Sequence, residues 1–328
     1  MSILGNLLHL SNGKLSFILN TENIFHTPAF TGYNGQERLQ KGTIPSMKEQ
    51  SFWQLLRDKH NDLTKSGRLV ADYLVQHPEE AQYLSISSLA KACGVAEATI
   101  FRFCRSLGFD GYNEMKIALA QANAAAEPAA TGKPEPGSDT ASLCAYAAAV
   151  CTEAITGTRD TLDPAAIDAA ATLLQRARQV YCFGQGGSHV LANDIWARFA
   201  TVTTKFHTAG DSHMQALTAS LMGPEDVVLF VSYSGSTRDM LETLRLAKSC
   251  GARIILLTHY ADSPGASLAD VVLLCGAQES PLEGGSIAAK IAMLYVTEVL
   301  VLRFTMDNLE LTTIAKQRTA KALAPKLL

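Results

Sequence analysis

The sequence predicts an α/β protein in which an all-helical N-terminal domain precedes a doubly wound parallel sheet of five strands. Two observations carry this prediction. Apolar residues between positions 51 and 121 recur at spacings of three and four, which is typical of amphipathic helices. From residue 140 onward, short apolar runs alternate with helical stretches, and this order requires right-handed crossovers between parallel strands.

The composition is that of an ordinary globular protein, with 47% hydrophobic and 18% charged residues among 328. The net charge of −3 provides no general attraction to nucleic acid, so any DNA contact has to come from a local cluster. Seven cysteines form no CxxC pair, which favours a reducing compartment over disulfides or zinc. We expect no cofactor, no signal peptide and no membrane span, and therefore a cytoplasmic protein.

Four segments follow from these patterns. Residues 1–46 lack sustained periodicity, and we expect a poorly ordered extension there. A clearer pattern begins at Met47, which could be a second translation start. A helical domain is predicted over 47–121, a linker rich in Ala, Pro and Gly over 122–138, and the sheet domain over 139–328.

The helical domain contains the spacing of a helix-turn-helix motif. Small and apolar residues suit the crossing of two helices and the turn between them: Leu89, Ala90, Gly94, Val95, Ile100 and Phe103. The second helix then offers six residues to the major groove of DNA: Ala96, Glu97, Ala98, Thr99, Arg102 and Arg105. The alternative is a three-helix protein-interaction domain with two surface arginines. Acidic and basic residues balance over 48–121, so a DNA face here has to be small.

Five apolar runs are the predicted strands of the parallel sheet: Val180–Phe183, Lys205–Thr208, Val227–Val231, Arg253–Leu257 and Val271–Leu274. A helix is expected to begin at Asp163-Pro164, where the aspartate can cap and the proline can take the first helical position. Helices over Gly285–Arg303 and from about Leu309 close the domain. Ligands of such sheets bind at the carboxyl ends of the strands.

The third strand leads into Ser232, Ser234, Gly235, Ser236 and Thr237, which we call the serine loop (residues 232–237). A helical pattern follows, so backbone N–H groups, hydroxyls and the helix dipole all favour an anion at this point. No basic residue precedes Arg238 in the loop. The pattern therefore favours a phosphate carried on a neutral, hydroxylated molecule.

A second loop, Gly184-Gln-Gly-Gly-Ser188, follows the first strand; we call it the glycine loop. It fails the dinucleotide fingerprint, because position 189 is histidine and no acidic residue ends the second strand. We expect Gly186 and Gly187 to let a ligand approach the backbone, and Ser188 to donate a hydrogen bond to it.

Four further polar residues lie at or beyond the same edge. Asp211 is interpreted as a helix N-cap and His213 as partly exposed, in preference to a site role. Glu283 could accept hydrogen bonds from sugar hydroxyls or be a charge near a helix start. Lys290 is placed two turns further along the same helix face.

Together these residues resemble the RpiR/MurR family of bacterial transcription regulators, in which a helix-turn-helix domain precedes a sugar isomerase (SIS) domain that binds phosphosugars. The similarity covers about residues 50 to 310. It rests on Ile86-Ser-Ser-Leu-Ala90, Gly94-Val95, Ala98-Thr99-Ile100, Arg102-Phe103, Leu107-Gly-Phe109, Gly111-Tyr112, Lys116 and the two loops. Ala96 departs from the serine that usually caps the recognition helix, which costs the helix about 1 kcal/mol.

The resemblance implies phosphate contacts from Ser232, Ser234, Ser236 and Thr237, with Ser188 on the sugar. It also implies a homodimer or homotetramer bound to operator DNA. The leading hypothesis is a non-enzymatic regulator of carbohydrate metabolism whose DNA binding responds to a phosphosugar. The alternative is a phosphosugar isomerase, because Glu283 aligns with the base of SIS isomerases and Lys290 with a lysine there. A third is a helical adaptor with a vestigial sugar site.

Overall fold

A computed structural model of the chain describes residues 51–126, 134–282 and 284–326. The predicted extension over 1–46 and the possible start at Met47 lie outside the described residues. We call residues 51–126 the head and residues 134–326 the sheet domain.

The head consists of helices packed around one apolar core. Its helices are α1 (Phe52–Lys59), α2 (Lys65–Gln76), α3 (Pro78–Ala81), α4 (Ile86–Ala92), α5 (Glu97–Leu107) and α6 (Tyr112–Ala126). Side chains from all six meet in the core, among them Leu56, Leu74, Ala81, Leu89, Ile100 and Leu119, all with 2% exposure or less. The predicted all-helical domain is confirmed.

Helices α4 and α5 form the predicted helix-turn-helix. Gly94 ends the first helix with φ +65°, and the N–H of Val95 donates to the carbonyl of Ala90 at 2.9 Å. This bond is typical of a helix that stops at a left-handed residue. Ala90 is buried, as a close crossing of two helices requires.

Helix α6 is longer than the sequence analysis predicted. The linker was expected to begin at residue 122, but the helix continues to Ala126. Asn123 is buried there and its side-chain amide donates to the carbonyl of Pro78 at 2.8 Å. The alanines around it favour helix strongly, which outweighs the Pro- and Gly-rich composition that follows.

The sheet has five parallel strands in the order β2-β1-β3-β4-β5. They are β1 (Gln179–Gly184), β2 (Phe206–Thr208), β3 (Asp226–Val231), β4 (Arg253–Thr258) and β5 (Val271–Leu274). Every residue of β3 is buried, because this strand lies in the centre of the sheet with helices on both faces. The five predicted strands and their parallel arrangement are confirmed.

Helices cover both faces, which makes the sheet doubly wound as predicted. They are α7 (Thr140–Thr161), α8 (Pro164–Arg176), α9 (Gly187–Ala200), α10 (Ser212–Ala219), α11 (Arg238–Ser249), α12 (Ile287–Asp307) and α13 (Leu309–Leu323). Helices α7, α8, α9 and α12 contribute to one apolar cluster, and α10 and α11 to a second one. Asp163 caps α8 and Pro164 takes its first position, as expected.

Candidate functional site

The two predicted loops meet where the strand order reverses. Strands β1 and β3 are neighbours, with Gly184 paired to Val231 at their carboxyl ends. The chain leaves β1 through α9 on one face and β3 through α11 on the other. A crevice opens between such connections, and open α/β sheets bind their ligands there.

The glycine loop places backbone, not side chains, at this crevice. A Cβ on Gly184 would lie 2.5 Å from the carbonyl oxygen of Ser188, so the position has no room for a side chain. Gly186 has φ +54° and precedes α9, which begins at Gly187. Both glycines are exposed. Gly186 and Gly187 are therefore accessible from solvent, and the approach of a ligand to their backbone stays a prediction.

The serine loop is partly buried and internally bonded. Ser232 is buried, and its hydroxyl accepts a hydrogen bond from the N–H of Gly235 at 3.2 Å. The N–H of Ser236 donates to Oγ of Ser234 at 3.4 Å. Gly235 has φ +58°, and a Cβ there would collide with the side chain of Ser263. Glycine is therefore required by both backbone conformation and space.

Hydroxyl groups from the two loops converge on one small cavity of about 170 Å³, which we call the hydroxyl cavity. Its walls include four of the predicted ligand-binding side chains: Ser188, Ser232, Ser234 and Thr237. Thr237 directly precedes α11 and makes no side-chain capping bond to it. The N-terminal turn of α11 thus faces the loop without a side-chain cap of its own.

Gln185 is a cavity residue that sequence reasoning missed. Its side chain lines the hydroxyl cavity, and its amide nitrogen is buried without a hydrogen-bond partner among the described residues. A buried donor without a partner costs free energy, which a ligand oxygen would recover. Its position inside the glycine loop, between two glycines, was the available signal.

A lysine lies on the far side of the glycine loop. Lys290 is in the first turn of α12, and its Cε lies 4.0 Å from the position a Cβ of Gly187 would take. The helix begins at Ile287 with Ser286 as its cap, two residues later than predicted. Glu283 lies outside the described residues. The carboxylate of Glu279, four residues before it, accepts hydrogen bonds from the N–H groups of Gly285 and Ser286.

Asp211 has the structural role favoured by the sequence analysis. Its carboxylate accepts a hydrogen bond from the N–H of Met214 at 2.9 Å and caps α10. His213 is exposed in the first turn of that helix. The capping interpretation is confirmed.

The second helix of the helix-turn-helix, α5, presents the predicted outward face. Ala96, Glu97, Ala98, Arg102 and Arg105 are exposed and Thr99 is half-buried. The opposite face is buried in the head core through Ile100, Phe103, Cys104 and Leu107. Ala96 precedes the helix without a side-chain capping bond, as its identity predicted.

Neighbouring side chains hold three polar residues of this face. A guanidinium nitrogen of Arg102 donates to Oγ1 of Thr99 at 3.2 Å, and Arg105 pairs with Asp110 at 2.5 Å. The carboxylate of Glu97 accepts a hydrogen bond from Ser87 at 2.5 Å. These exposed contacts are individually weak, so the arginines can exchange them for phosphate or base contacts.

A groove beside α5 adds residues that the sequence analysis did not identify. It measures about 380 Å³ and lies between the start of α2 and α5, with Thr64 and Ser66 on one side and Thr99 and Arg102 on the other. Hydroxyls and a helix N-terminus next to an arginine are groups that can bind a phosphate, and the carboxyl residue Asp62 also lines this groove. Only the packing of α2 against α5 brings these residues together.

Comparison with known proteins gives the same division of the chain. A family model described as "Helix-turn-helix domain, rpiR family" matches residues 51–126, and a SIS domain model matches residues 173–303. An HTH-type transcriptional regulator of Haemophilus influenzae is 30% identical over 268 residues, which cover 80% of this chain and 93% of that protein. The chain belongs to the RpiR family of transcriptional regulators.

Two other proteins are similar over most of the chain. The regulator HexR of Pseudomonas aeruginosa is 34% identical over 222 residues, 67% of this chain and 76% of its own. The Vibrio vulnificus NanR protein, solved in complex with ManNAc-6P, superposes with a TM-score of 0.77 at 26% identity. The superposition covers 84% of this chain and 99% of that one. The match to the rpiR-family helix-turn-helix model ends at Ala126, which is also the last residue of α6.

Two features of this RpiR-family chain bear on the classes of site it could hold. Among the described residues, no group of three or more His, Cys, Asp or Glu side chains is placed to hold a metal ion. Over the same residues, none of the helices combines the length and apolar character needed to cross a bilayer.

Proposed function

We propose that the protein is a cytoplasmic DNA-binding regulator of carbohydrate metabolism, and that a phosphorylated sugar bound in the hydroxyl cavity changes its affinity for DNA. The observation that carries this proposal is the convergence of Ser188, Ser232, Ser234 and Thr237 on one cavity at the edge of the sheet. The same chain carries an exposed recognition helix. Further support comes from NanR, a 26% identical relative that was solved with ManNAc-6P.

The phosphate is assigned to the serine loop. Hydroxyls of Ser234, Ser236 and Thr237 and the start of α11 offer donors to an anion, and Gly235 lets the backbone fold closely around it. Ser232 contributes through its bond to the N–H of Gly235, which holds the loop in shape.

The sugar is assigned to the glycine loop side. The unpartnered amide of Gln185 and the hydroxyl of Ser188 can donate to its oxygens. Gly186 and Gly187 leave room for its ring to approach the backbone, and Glu283 is proposed to accept hydrogen bonds from its hydroxyls. This division explains why the cavity walls carry more hydroxyl and amide groups than charges.

Operator DNA is assigned to the exposed face of α5. Arg102 and Arg105 reach phosphates or base edges, while Ala96, Glu97, Ala98 and Thr99 enter the major groove at the start of the helix. The groove with Thr64 and Ser66 takes an adjacent phosphate. Two such heads have to meet half-sites about 34 Å apart, which requires at least a dimer.

The dimer is assigned to the C-terminal helices. Large apolar side chains are exposed at the end of α12 and along α13, namely Leu302, Met306, Leu309, Leu311 and Ile314. Among the described residues of α13, Thr312 alone is buried, so most of that helix faces outward. A second copy of the chain would cover this apolar surface in a homodimer, or in a homotetramer built from two dimers.

The proposal is tested by DNA binding with and without phosphosugars. Fluorescence anisotropy measures the affinity for DNA from upstream of the protein's own gene and for random DNA. The panel contains ManNAc-6P, glucose 6-phosphate, fructose 6-phosphate and ribose 5-phosphate, each beside its unphosphorylated parent sugar. At least one phosphosugar is expected to change the specific affinity about tenfold or more. Equal binding to random DNA together with no response to any of them would contradict the proposal.

The competing function is a phosphosugar isomerase with Glu283 as general base. It leaves the recognition helix without a role, and the named relatives are regulators. Incubation with aldose and ketose phosphates decides between the two. We expect no turnover; turnover that disappears in Glu283→Gln would establish the isomerase instead.

A further inference from the structure

A lysine of the head lines a cavity next to the proposed phosphosugar site. A cavity of about 420 Å³ between the head and the sheet domain is lined by Lys116 of α6 and by Ser234, Ser236 and Tyr260. Two acidic residues of the head also line it: Asp110, whose carboxylate pairs with Arg105, and Glu114, whose carboxylate accepts a hydrogen bond from the N–H of Asp110. Ser234 also lines the hydroxyl cavity, so the two cavities share a wall. The ammonium group of Lys116 donates to the hydroxyl of Tyr260 at 3.3 Å and lies 5.3 Å from the centre of its ring.

The segment that Lys116 contacts, residues 259–265, follows β4; we call it the coupling loop. It is bonded directly to the serine loop. The N–H of Gly265 donates to the carbonyl of Gly235 at 2.8 Å, and the N–H of His259 donates to the carbonyl of Tyr233 at 3.1 Å. A Cβ on Gly265 would lie 2.8 Å from that same Gly235 oxygen, which shows how closely the two loops approach. A change in the serine loop therefore has to involve the coupling loop.

The other side of the coupling loop is bonded to the head. The hydroxyl of Tyr260 donates to the carbonyl of Tyr83 at 2.6 Å. The hydroxyls of Ser85 and Ser88 donate to the carboxylate of Asp262, that of Ser88 at 2.8 and 2.9 Å. Ser85 is the N-cap of α4, the first helix of the helix-turn-helix. The coupling loop thus lies between the serine loop and the DNA-binding motif.

The surroundings of Lys116 disfavour its charge. Burial lowers the pKa of its ammonium group to about 8, and the carboxylate of Glu279 offsets part of this effect. A cation in this condition gains more from an added anion than a solvated surface lysine does, because its own hydration is already lost. The cavity that it lines with Ser234 and Ser236 leaves space for such an anion.

We propose that Lys116 is a direct ligand of the effector's phosphate, supplied to the serine loop by the DNA-binding head. This rests on the proposed function, because it takes the phosphosugar site as given and adds the residue that reports its occupancy. An occupied site holds the head through Lys116, in addition to the contacts of Tyr260 and Asp262. Occupancy thereby fixes the position of α4 and α5, and the spacing of two recognition helices in a dimer depends on that position.

The proposal is tested with Lys116→Met and Lys116→Arg in the full-length protein. Lys91→Met is the control, since Lys91 is an exposed lysine of the same head. Calorimetry measures the affinity for each phosphosugar of the panel and for inorganic phosphate. Lys116→Met is expected to weaken binding of the active phosphosugar about tenfold or more, because a charged hydrogen bond is lost. Lys116→Arg should retain most of the affinity, and Lys91→Met all of it.

Two further measurements separate ligand binding from a structural role. The response of DNA affinity to the phosphosugar is expected to be lost in Lys116→Met, while its melting temperature stays close to that of the wild type. A variant that binds the phosphosugar and responds to it like the wild type would overturn this inference and leave the proposed function standing. A wild type that binds no phosphosugar of the panel would overturn both. A large drop in melting temperature that Lys116→Arg restores, with unchanged ligand affinity, would make Lys116 structural.

Discussion

The turn of the helix-turn-helix and the serine loop contain glycines with nearly the same left-handed backbone in very different surroundings. Gly94 in the turn has φ +65°, and a Cβ there would meet no heavy atom within 4 Å. Gly235 in the serine loop has φ +58°, and a Cβ there would collide with Ser263 and lie 3.0 Å from Oγ1 of Thr258. The turn thus constrains the backbone alone, whereas the serine loop is also constrained by what packs against it.

This difference matches the functions proposed for the two regions, which are DNA binding and phosphosugar binding. The recognition face has to be accessible to DNA, so its side chains are exposed and its turn borders on solvent. The serine loop has to hold a ligand and pass on its presence, so it packs against the coupling loop. Neighbours in close contact are what couple one part of a protein to another. This separation of DNA binding from phosphosugar binding is testable, because a substitution in one region should leave the function of the other region unchanged.

The largest expected effect is that of Ser234→Asp, which puts a fixed carboxylate where the phosphate is assigned. Two anions at close range in a partly buried site repel strongly, so phosphosugar affinity should fall about a hundredfold or more. Calorimetry measures the loss, and anisotropy should show unchanged DNA binding without effector.

The matched control for this change is Ser142→Asp, at an exposed serine in the first turn of α7. A carboxylate is favourable there, and ligand affinity should not change. Phosphosugar binding by Ser234→Asp at wild-type strength would remove the serine loop from the site.

The two glycines themselves provide the second prediction. Gly94→Ala should lower the free energy of unfolding by about 1 kcal/mol, the cost of a left-handed alanine. Gly235→Ala should lower it by about 3 kcal/mol or more, since overpacking adds to the same backbone cost. Urea denaturation of both variants measures the difference. Equal losses would mean that the serine loop is not held against the coupling loop.

The recognition face is tested by Arg102→Ala, with Arg176→Ala as control. Arg102 lies on the exposed face of α5, whereas Arg176 is exposed at the end of α8 in the sheet domain. Loss of one DNA-contacting arginine should weaken operator binding about tenfold and leave phosphosugar affinity unchanged. Wild-type DNA affinity in Arg102→Ala would shift the DNA face away from α5.

The smallest expected effect is a pH dependence of the phosphosugar affinity. It involves Lys116 of the head and the serine loop of the sheet domain. Since the pKa of Lys116 is lowered to about 8, the free protein loses this positive charge as the pH rises through that value. A phosphate monoester is already fully ionised there. Phosphosugar affinity should therefore fall about fivefold between pH 7.5 and 9, and less steeply in Lys116→Met.

The titratable groups around Lys116 are Tyr112, His259, Tyr260 and Glu279, together with Asp110 and Glu114 in the wall of the same cavity. Burial raises the pKa of Tyr260 to about 12 and also raises that of Tyr112, so both stay neutral below pH 9. Burial lowers the pKa of His259, which is therefore neutral above pH 7. A pH profile of Lys116→Met as steep as that of the wild type would assign the effect to another group.

The sequence was sufficient for the parts of the fold that depend on local patterns. The apolar run Val227–Val231 predicted a buried strand, and β3 covers it with one residue more. The spacing from Leu89 to Phe103 predicted the helix-turn-helix, because buried positions repeat with the helical period. The loop residues of the hydroxyl cavity were predictable for a similar reason, since parallel strands end at one edge.

The contacts between distant segments could not be predicted in this way. Lys116 and Tyr260 are separated by 144 positions, and nothing local to either residue indicates that they meet. Lys116 matches the helix-turn-helix pattern of the RpiR/MurR family, but that pattern contains no information about contacts with the sheet domain. The predicted linker began five residues too early, at residue 122, because the Pro-rich composition after Ala126 was extended back over the end of α6.

The most direct test is a crystal structure of the full-length protein with the active phosphosugar of the panel. The account predicts that the phosphate lies within hydrogen-bond distance of the Ser234 and Thr237 hydroxyls and of the Lys116 ammonium group. The sugar should then face Gln185 and Ser188. A phosphosugar bound elsewhere, with the carboxyl edge of β1 and β3 empty, would contradict it.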